Sequence, residues 1–182
     1  MYEVRFHGRG GQGAWTASLL LAQAGLKEEK NIQSFPAFGP ERAGAPISAF
    51  TRISDDKIQI HSSIYEPDVV VVLDPTLLGP SVAEGIKKGT KLIVNTTMSG
   101  DTVRENLGLS GIETWLLDAT KLAMDKLGRP ITNTAMLGAV IRATEIVELD
   151  SLIEAVRDRF SGKIGEANVE LIRSAYKEVE KE

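Results

Sequence analysis

The chain has 182 residues, enough for one ordinary domain with a core of its own. A net charge of −4, 5% aromatic residues and no Lys/Arg cluster argue against a nucleic-acid surface, and the lack of cysteine excludes disulfides, a thiol nucleophile and Cys-ligated iron–sulfur clusters on this chain. His7 and His61 have no zinc-ligand spacing, the N-terminus has no signal-peptide pattern, and no apolar run approaches the roughly 18 residues of a membrane span, so a cytoplasmic protein that engages neither membrane nor nucleic acid is expected.

In chain order, Tyr2–His7 reads as a strand that ends in a glycine turn, Gly8–Gly13. Ala14–Leu26 reads as a helix with Trp15, Leu19, Ala22 and Leu26 on one face. Asn31–Phe35 and Ile47–Ile53 are strand candidates around a Gly/Pro-rich loop, Pro36–Pro46. Asp68–Asp74, "DVVVVLD", and Lys91–Asn95, "KLIVN", are continuous apolar runs, as expected of parallel strands covered on both faces. A helix over Ser81–Lys88 closed by Gly89, a strand over Ile112–Leu117 and a helix over Ala119–Leu127 complete the alternation. After Pro130 only helical patterns follow, at Thr134–Ala143, Leu149–Phe160 and Ile164–Val179. The expected fold is α/β: a three-layer, Rossmann-like, mainly parallel sheet over about 1–128, with C-terminal helices of about 130–182 packed on it as one domain.

The turn "HGRGGQGA" contains G-x-G-x-x-G at Gly8, Gly10 and Gly13, with Arg9, Gly11 and Gln12 between them. With 17 glycines in the chain the pattern alone is weak, but it follows the first strand and opens a helix, where a doubly wound fold places a phosphate. It is not a P-loop, because Gly13 is followed by Ala14-Trp15 rather than Lys-Ser/Thr. It also lacks the acid that a nicotinamide site carries about 20 residues on, since that region reads "NIQSFPAF". Three readings stay open: a tight structural turn, a backbone nest for an anion or cofactor phosphate that includes Arg9, and a dinucleotide site.

The loop "SFPAFGPERAGAP" either forms a plain surface connection or presents Glu41 and Arg42 beside the glycine turn at the carboxyl edge of the sheet. Thr132 or Asn133 either caps the following helix or turns that helix's N-terminus toward the same edge. No nucleophile elbow, HExxH or Ser–His–Asp order is present, so no catalytic residue is assigned, and the chain reads as a piece of something larger.

Strand-"GRGGQG"-helix, "FPAFGPERAGAP" before the strand "ISAFTRIS", "VVVVLDPTLL", "NTAMLGA" and the closing "IGEANVELIRSAY" together resemble the gamma subunit of 2-oxoacid:ferredoxin oxidoreductases, over roughly residues 2 to 178. The closest likeness is to the pyruvate and 2-ketoisovalerate enzymes. At the second loop the family pattern is similar to Gly-Pro-Glu-x-Arg-Gly-Gly; here Arg42 sits one place earlier and Ala45 replaces a glycine. The resemblance implies a multi-subunit enzyme that converts a 2-oxoacid, coenzyme A and oxidised ferredoxin to acyl-CoA, carbon dioxide and reduced ferredoxin. It implies alpha, beta and delta partner subunits, with thiamine diphosphate between alpha and beta and [4Fe–4S] clusters chiefly on delta. The candidate ligand residues on this chain are Gly8, Arg9, Gly10, Gly11, Gln12, Gly13, Glu41, Arg42 and Asn133; the glycine turn is expected either to hold an anionic part of coenzyme A or to form a docking surface for alpha and beta, and no metal is expected. A subunit of an indolepyruvate or 2-oxoglutarate enzyme, a free-standing Rossmann-like nucleotide binder, and a homodimer contact are the alternatives.

Overall fold

A computed structural model describes residues 1–37 and 43–182. Its centre is a seven-stranded sheet in the order β2-β3-β1-β4-β5-β6-β7. The inner strands β1 (Tyr2–Arg9), β4 (Val69–Val72), β5 (Lys91–Asn95) and β6 (Glu113–Leu117) run parallel. The outer strands are β2 (Asn31–Pro36), β3 (Pro46–Ser54) and β7 (Glu180–Lys181). β3 runs antiparallel to both β1 and β2, and β7 antiparallel to β6.

The valine run explains the layering. Val69 and Val71 enter one core cluster and Val70 and Val72 the other, and all four are buried. Alternating side chains of one strand thus fill both faces, each burial contributing about 1.5–3 kcal/mol. The larger face carries α1 (Ala14–Lys27), α4 (Ala119–Leu127), α5 (Asn133–Thr144), α6 (Leu149–Arg159) and α7 (Gly162–Glu178). The other face carries the one-turn helix α2 (Pro80–Ala83) and α3 (Gly100–Leu107). This is the expected three-layer α/β arrangement, with the C-terminal helices on one side of the sheet.

Four local features differ from the sequence reading. The buried face of α1 is Ala14, Ala17, Leu20, Leu21 and Ala24, whereas Trp15 is 54% and Leu26 59% exposed, with Leu19 also outward and only Ala22 of the expected stripe buried. Small side chains let α1 approach the sheet closely; a Cβ on Gly25 would lie 3.2 Å from Ile32 and Ile53. The helix expected over Ser81–Lys88 stops at Ala83, because Gly85 turns at φ +72 tightly against the Tyr65 carbonyl. α3 is largely polar and buries only Gly100, Val103 and Leu107; its signals were the Ser99 cap and Gly108 at the left-handed C-cap. β7 is two residues long and is held by its partner strand rather than by a pattern of its own.

Candidate functional site: an anion-binding cleft at the glycine turn

β1 delivers the glycine turn to the carboxyl edge of the parallel strands. The turn is strapped on both sides. Gly10 N–H donates to Ala45 C=O at 2.8 Å, and Gly44 N–H donates back to Gly10 C=O at 3.1 Å. The end of the Pro36–Pro46 loop therefore lies directly beside the turn. Glu41 and Arg42 fall outside the described residues. On the other side, Gln12 Oε1 accepts from Arg9 N–H at 2.7 Å while Gln12 Nε2 donates to Asp74 at 2.8 Å.

Arg9 does not stand free in the turn. Its guanidinium lies 3.2 Å from the Asp74 carboxylate, donates to the Thr76 hydroxyl at 2.7 Å and reaches Gly44 C=O at 3.2 Å. Burial opposes ionisation of Asp74, but hydrogen bonds from Thr76 and Gln12 and the Arg9 charge outweigh it and hold the carboxyl below its ordinary range. Arg9 thus ties the turn to the end of β4, and its charge is largely spent there.

Gly11 (φ +96) and Gly13 (φ +79) occupy the left-handed region, and a Cβ on Gly13 would lie 2.5 Å from Asn133 Nδ2. Gly8 backs onto Ala14, where a Cβ would sit at 3.2 Å. The turn therefore closes without side chains, and the first turn of α1 begins with no side-chain cap. Asn133 is the first residue of α5, and its Oδ1 accepts from Thr134 N–H at 2.9 Å. Thr132 precedes the helix without a side-chain cap bond. Asn133 so performs local capping while its amide nitrogen faces the glycine turn.

A cleft of about 580 Å³ opens beside Gly11, Gln12, Gly13 and Asn133. Lys126, Arg129, Arg159 and Lys163 line it, and among the described residues no acid does. None of the four forms an ion pair among the described residues. Ile131, Phe160, Ile164 and Leu127 supply an apolar wall. Uncapped first turns of α1 and α7 add positive partial charge at the rim. This arrangement suits a ligand that is both anionic and partly apolar. A larger cleft of about 810 Å³ lies at the ends of β5 and β6, but Asp118, Asp125, Glu178, Glu180 and Glu182 outnumber Lys121 and Lys126 there and make it unsuitable for an anion. The four cations escaped the sequence reading because they lie at the ends of α4, α6 and α7 and in the turns between helices. Only packing of α7 across α4 and α5 brings them to one mouth.

The match to known proteins covers nearly the whole chain. Residues 3–178 match the family described as pyruvate ferredoxin/flavodoxin oxidoreductase, and the chain belongs to that family. It is 54% identical over 97% of its length to the pyruvate/ketoisovalerate oxidoreductases common subunit gamma of Thermococcus kodakarensis, spanning 96% of that protein. It is 49% identical over 98% of its length to pyruvate synthase subunit PorC of Methanocaldococcus jannaschii, spanning 97% of that protein. The crystal structure of the pyruvate oxidoreductase subunit PORC of Thermotoga maritima superposes with a TM-score of 0.91 at 40% identity, covering 99% of this chain and 97% of that one.

Proposed function

We propose that the chain is the gamma subunit of a 2-oxoacid:ferredoxin oxidoreductase, acting on pyruvate first among 2-oxoacids, and that its glycine turn and adjoining cleft hold the anionic part of coenzyme A. The names of its relatives, at about half identity over whole chains, support the subunit assignment. In this reading alpha, beta and delta subunits carry thiamine diphosphate and the [4Fe–4S] clusters, and ferredoxin accepts the electrons. The lack of cysteine on this chain fits that division.

The observation that carries the coenzyme A reading is the convergence on the uncapped glycine turn of four cations that form no ion pair among the described residues. Backbone N–H groups at Gly11 and Gly13 and the Asn133 amide take phosphate oxygens, Gly8 and Gly10 shape the turn that presents them, and Lys126, Arg129, Arg159 and Lys163 supply charge. Arg9 and Gln12 hold the turn in shape through Asp74. Contacts to a distant phosphate act as uniform binding, so their loss raises KM more than it lowers kcat. The test is coenzyme A-dependent pyruvate oxidation by the anaerobically isolated complex. Lys163→Glu should raise the KM for coenzyme A about tenfold with kcat nearly unchanged. An unaltered KM for coenzyme A in both Lys163→Glu and Arg159→Ala complexes would sink the coenzyme A role. Recovery of a lone chain without cluster-bearing partners would sink the subunit role.

A further inference from the structure

On the sheet face opposite α1, a second cleft of about 280 Å³ lies against β1 and β3. Arg5 and His7, neighbours on that face of β1, line it and are only 5% and 7% exposed. They contrast with the other deeply buried arginine. Arg52 is 1% exposed, and its Nε donates to the Glu3 carboxylate at 2.7 Å. Among the described residues Arg5 has no ion pair: its guanidinium donates to the carbonyls of Val82, at 3.0 Å, and Glu84, its Nε has no partner, and the Glu84 carboxylate acts on it only from beyond salt-bridge distance. Carbonyls satisfy donors but cancel no charge, and a buried cation without a counterion is costly. His7 Nε2 is likewise buried without a partner.

The protonation state is consistent. Burial, and then the Arg5 charge, push His7 down to about 3, so the imidazole is neutral near pH 7. Its Nδ1 lies 3.4 Å from Ser48 Oγ. When that hydroxyl donates, Nε2 carries the proton and is a donor. With that tautomer, two donors on one cationic floor lack an acceptor among the described residues. The walls are apolar, from Ile47, Phe50, Ile64 and Leu77. The single positive charge and the Glu84 carboxylate at the mouth favour one negative charge over two.

We infer that this cleft is a binding site for a small monocarboxylate with an apolar tail, its carboxylate set against Arg5 and His7. Both orphaned nitrogens lie out of solvent contact, so the entering anion meets them through a small rotation of the side chains that line the cleft. The site is separate from the cationic cleft: the two share no lining residue and lie on opposite faces of the sheet.

The experiment is a titration of the full-length protein, at constant ionic strength and pH 7, with acetate, pyruvate and inorganic phosphate, read from the His7 ring resonances. Saturable shifts with acetate or pyruvate at millimolar concentration, and weaker ones with phosphate, are expected. Arg5→Met should abolish them. Because that change can unfold the protein, Ser81→Glu, at an exposed position on the cleft rim, is the second variant and should weaken binding about tenfold with the fold intact. No saturable shift with either carboxylate, a preference for phosphate, or carboxylate binding unchanged in Ser81→Glu would each overturn the proposal. None of these outcomes bears on the coenzyme A reading, which depends on other residues.

Discussion

His7 shows how one residue can set a property of the whole chain. Its folded-state affinity for a proton is far below that of the unfolded chain, where an imidazole titrates near 6.5. The unfolded state therefore takes up the proton first. Stability is unaffected above the unfolded value and falls as pH drops below it, by up to about 1.4 kcal/mol per pH unit, until about pH 3. Asp74 works in the same direction at lower pH: its lowered carboxyl contributes stability above its ordinary value that disappears as pH falls further. Urea midpoints measured from pH 7 to pH 4 should thus decline in the native chain, and His7→Gln should flatten the part of that decline between pH 6.5 and 5. An identical slope in the two proteins would mean that another group supplies the acid sensitivity. Residue identity alone revealed little of this. The sequence places His7 at the end of a strand, but its burial beside Arg5, Ser48 and Ile64 follows only from the packing around β1.

Among the elements, the α5–α7 contact depends most on a single small side chain. A Cβ on Gly138 would strike the Ile172 carbonyl and lie 3.1 Å from Ala175 Cβ. α5 lies at the bottom of the larger core, with nearly every residue buried, so α7 cannot shift away without opening that core. Gly138→Ala should gain helix propensity yet lose about 1–3 kcal/mol through overpacking, a net fall in the thermal midpoint of several degrees. A stabilised variant would show that the two helices separate easily. α7 also carries Lys163 to the cleft, so the same substitution should weaken coenzyme A binding without touching a ligand-facing group.

The elements also differ in how far their sequences announced them. β4 and β5 were plain, because a strand buried on both faces must be apolar throughout. The C-terminal helices were plain because α6 and α7 are amphipathic at helical spacing. α1 was located correctly but turned the wrong way. The large residues Trp15, Leu19 and Leu26 point outward, since alanine and glycine are what let a helix sit close to a sheet. Ser18 completes that contact by hydrogen bonding to Ser34, Phe50 and Thr51. The polar α3 had caps but no apolar stripe, and periodicity passes over such helices.

At the scale of the whole molecule, charge is segregated although the net value is only −4. One mouth collects Lys126, Arg129, Arg159 and Lys163, while the other sets five acids against Lys121 and the shared Lys126. Binding of a polyanion at the first mouth should be screened by salt, because its cations are exposed. Raising ionic strength from about 0.05 to 0.5 M should raise the KM for coenzyme A several-fold in the complex, and that for pyruvate much less. Equal responses of the two substrates would indicate a general effect on assembly. Lys163→Glu should show a shallower salt dependence than the native complex.

The sequence by itself determined the alternation of strands and helices, the glycine turn that ends β1, the absence of any cysteine thiol on this chain, and the likeness to a gamma subunit. These are local or compositional properties, and each is encoded in contiguous residues. The tertiary structure decided the rest. It paired β3 antiparallel between β1 and β2, spent Arg9 on Asp74, drew four scattered cations to Gly13 and Asn133, and bound the buried Arg5 to the carbonyls of Val82 and Glu84. Each of these joins residues tens of positions apart, and their proximity follows from the packing of helices on a twisted sheet, which no local pattern records.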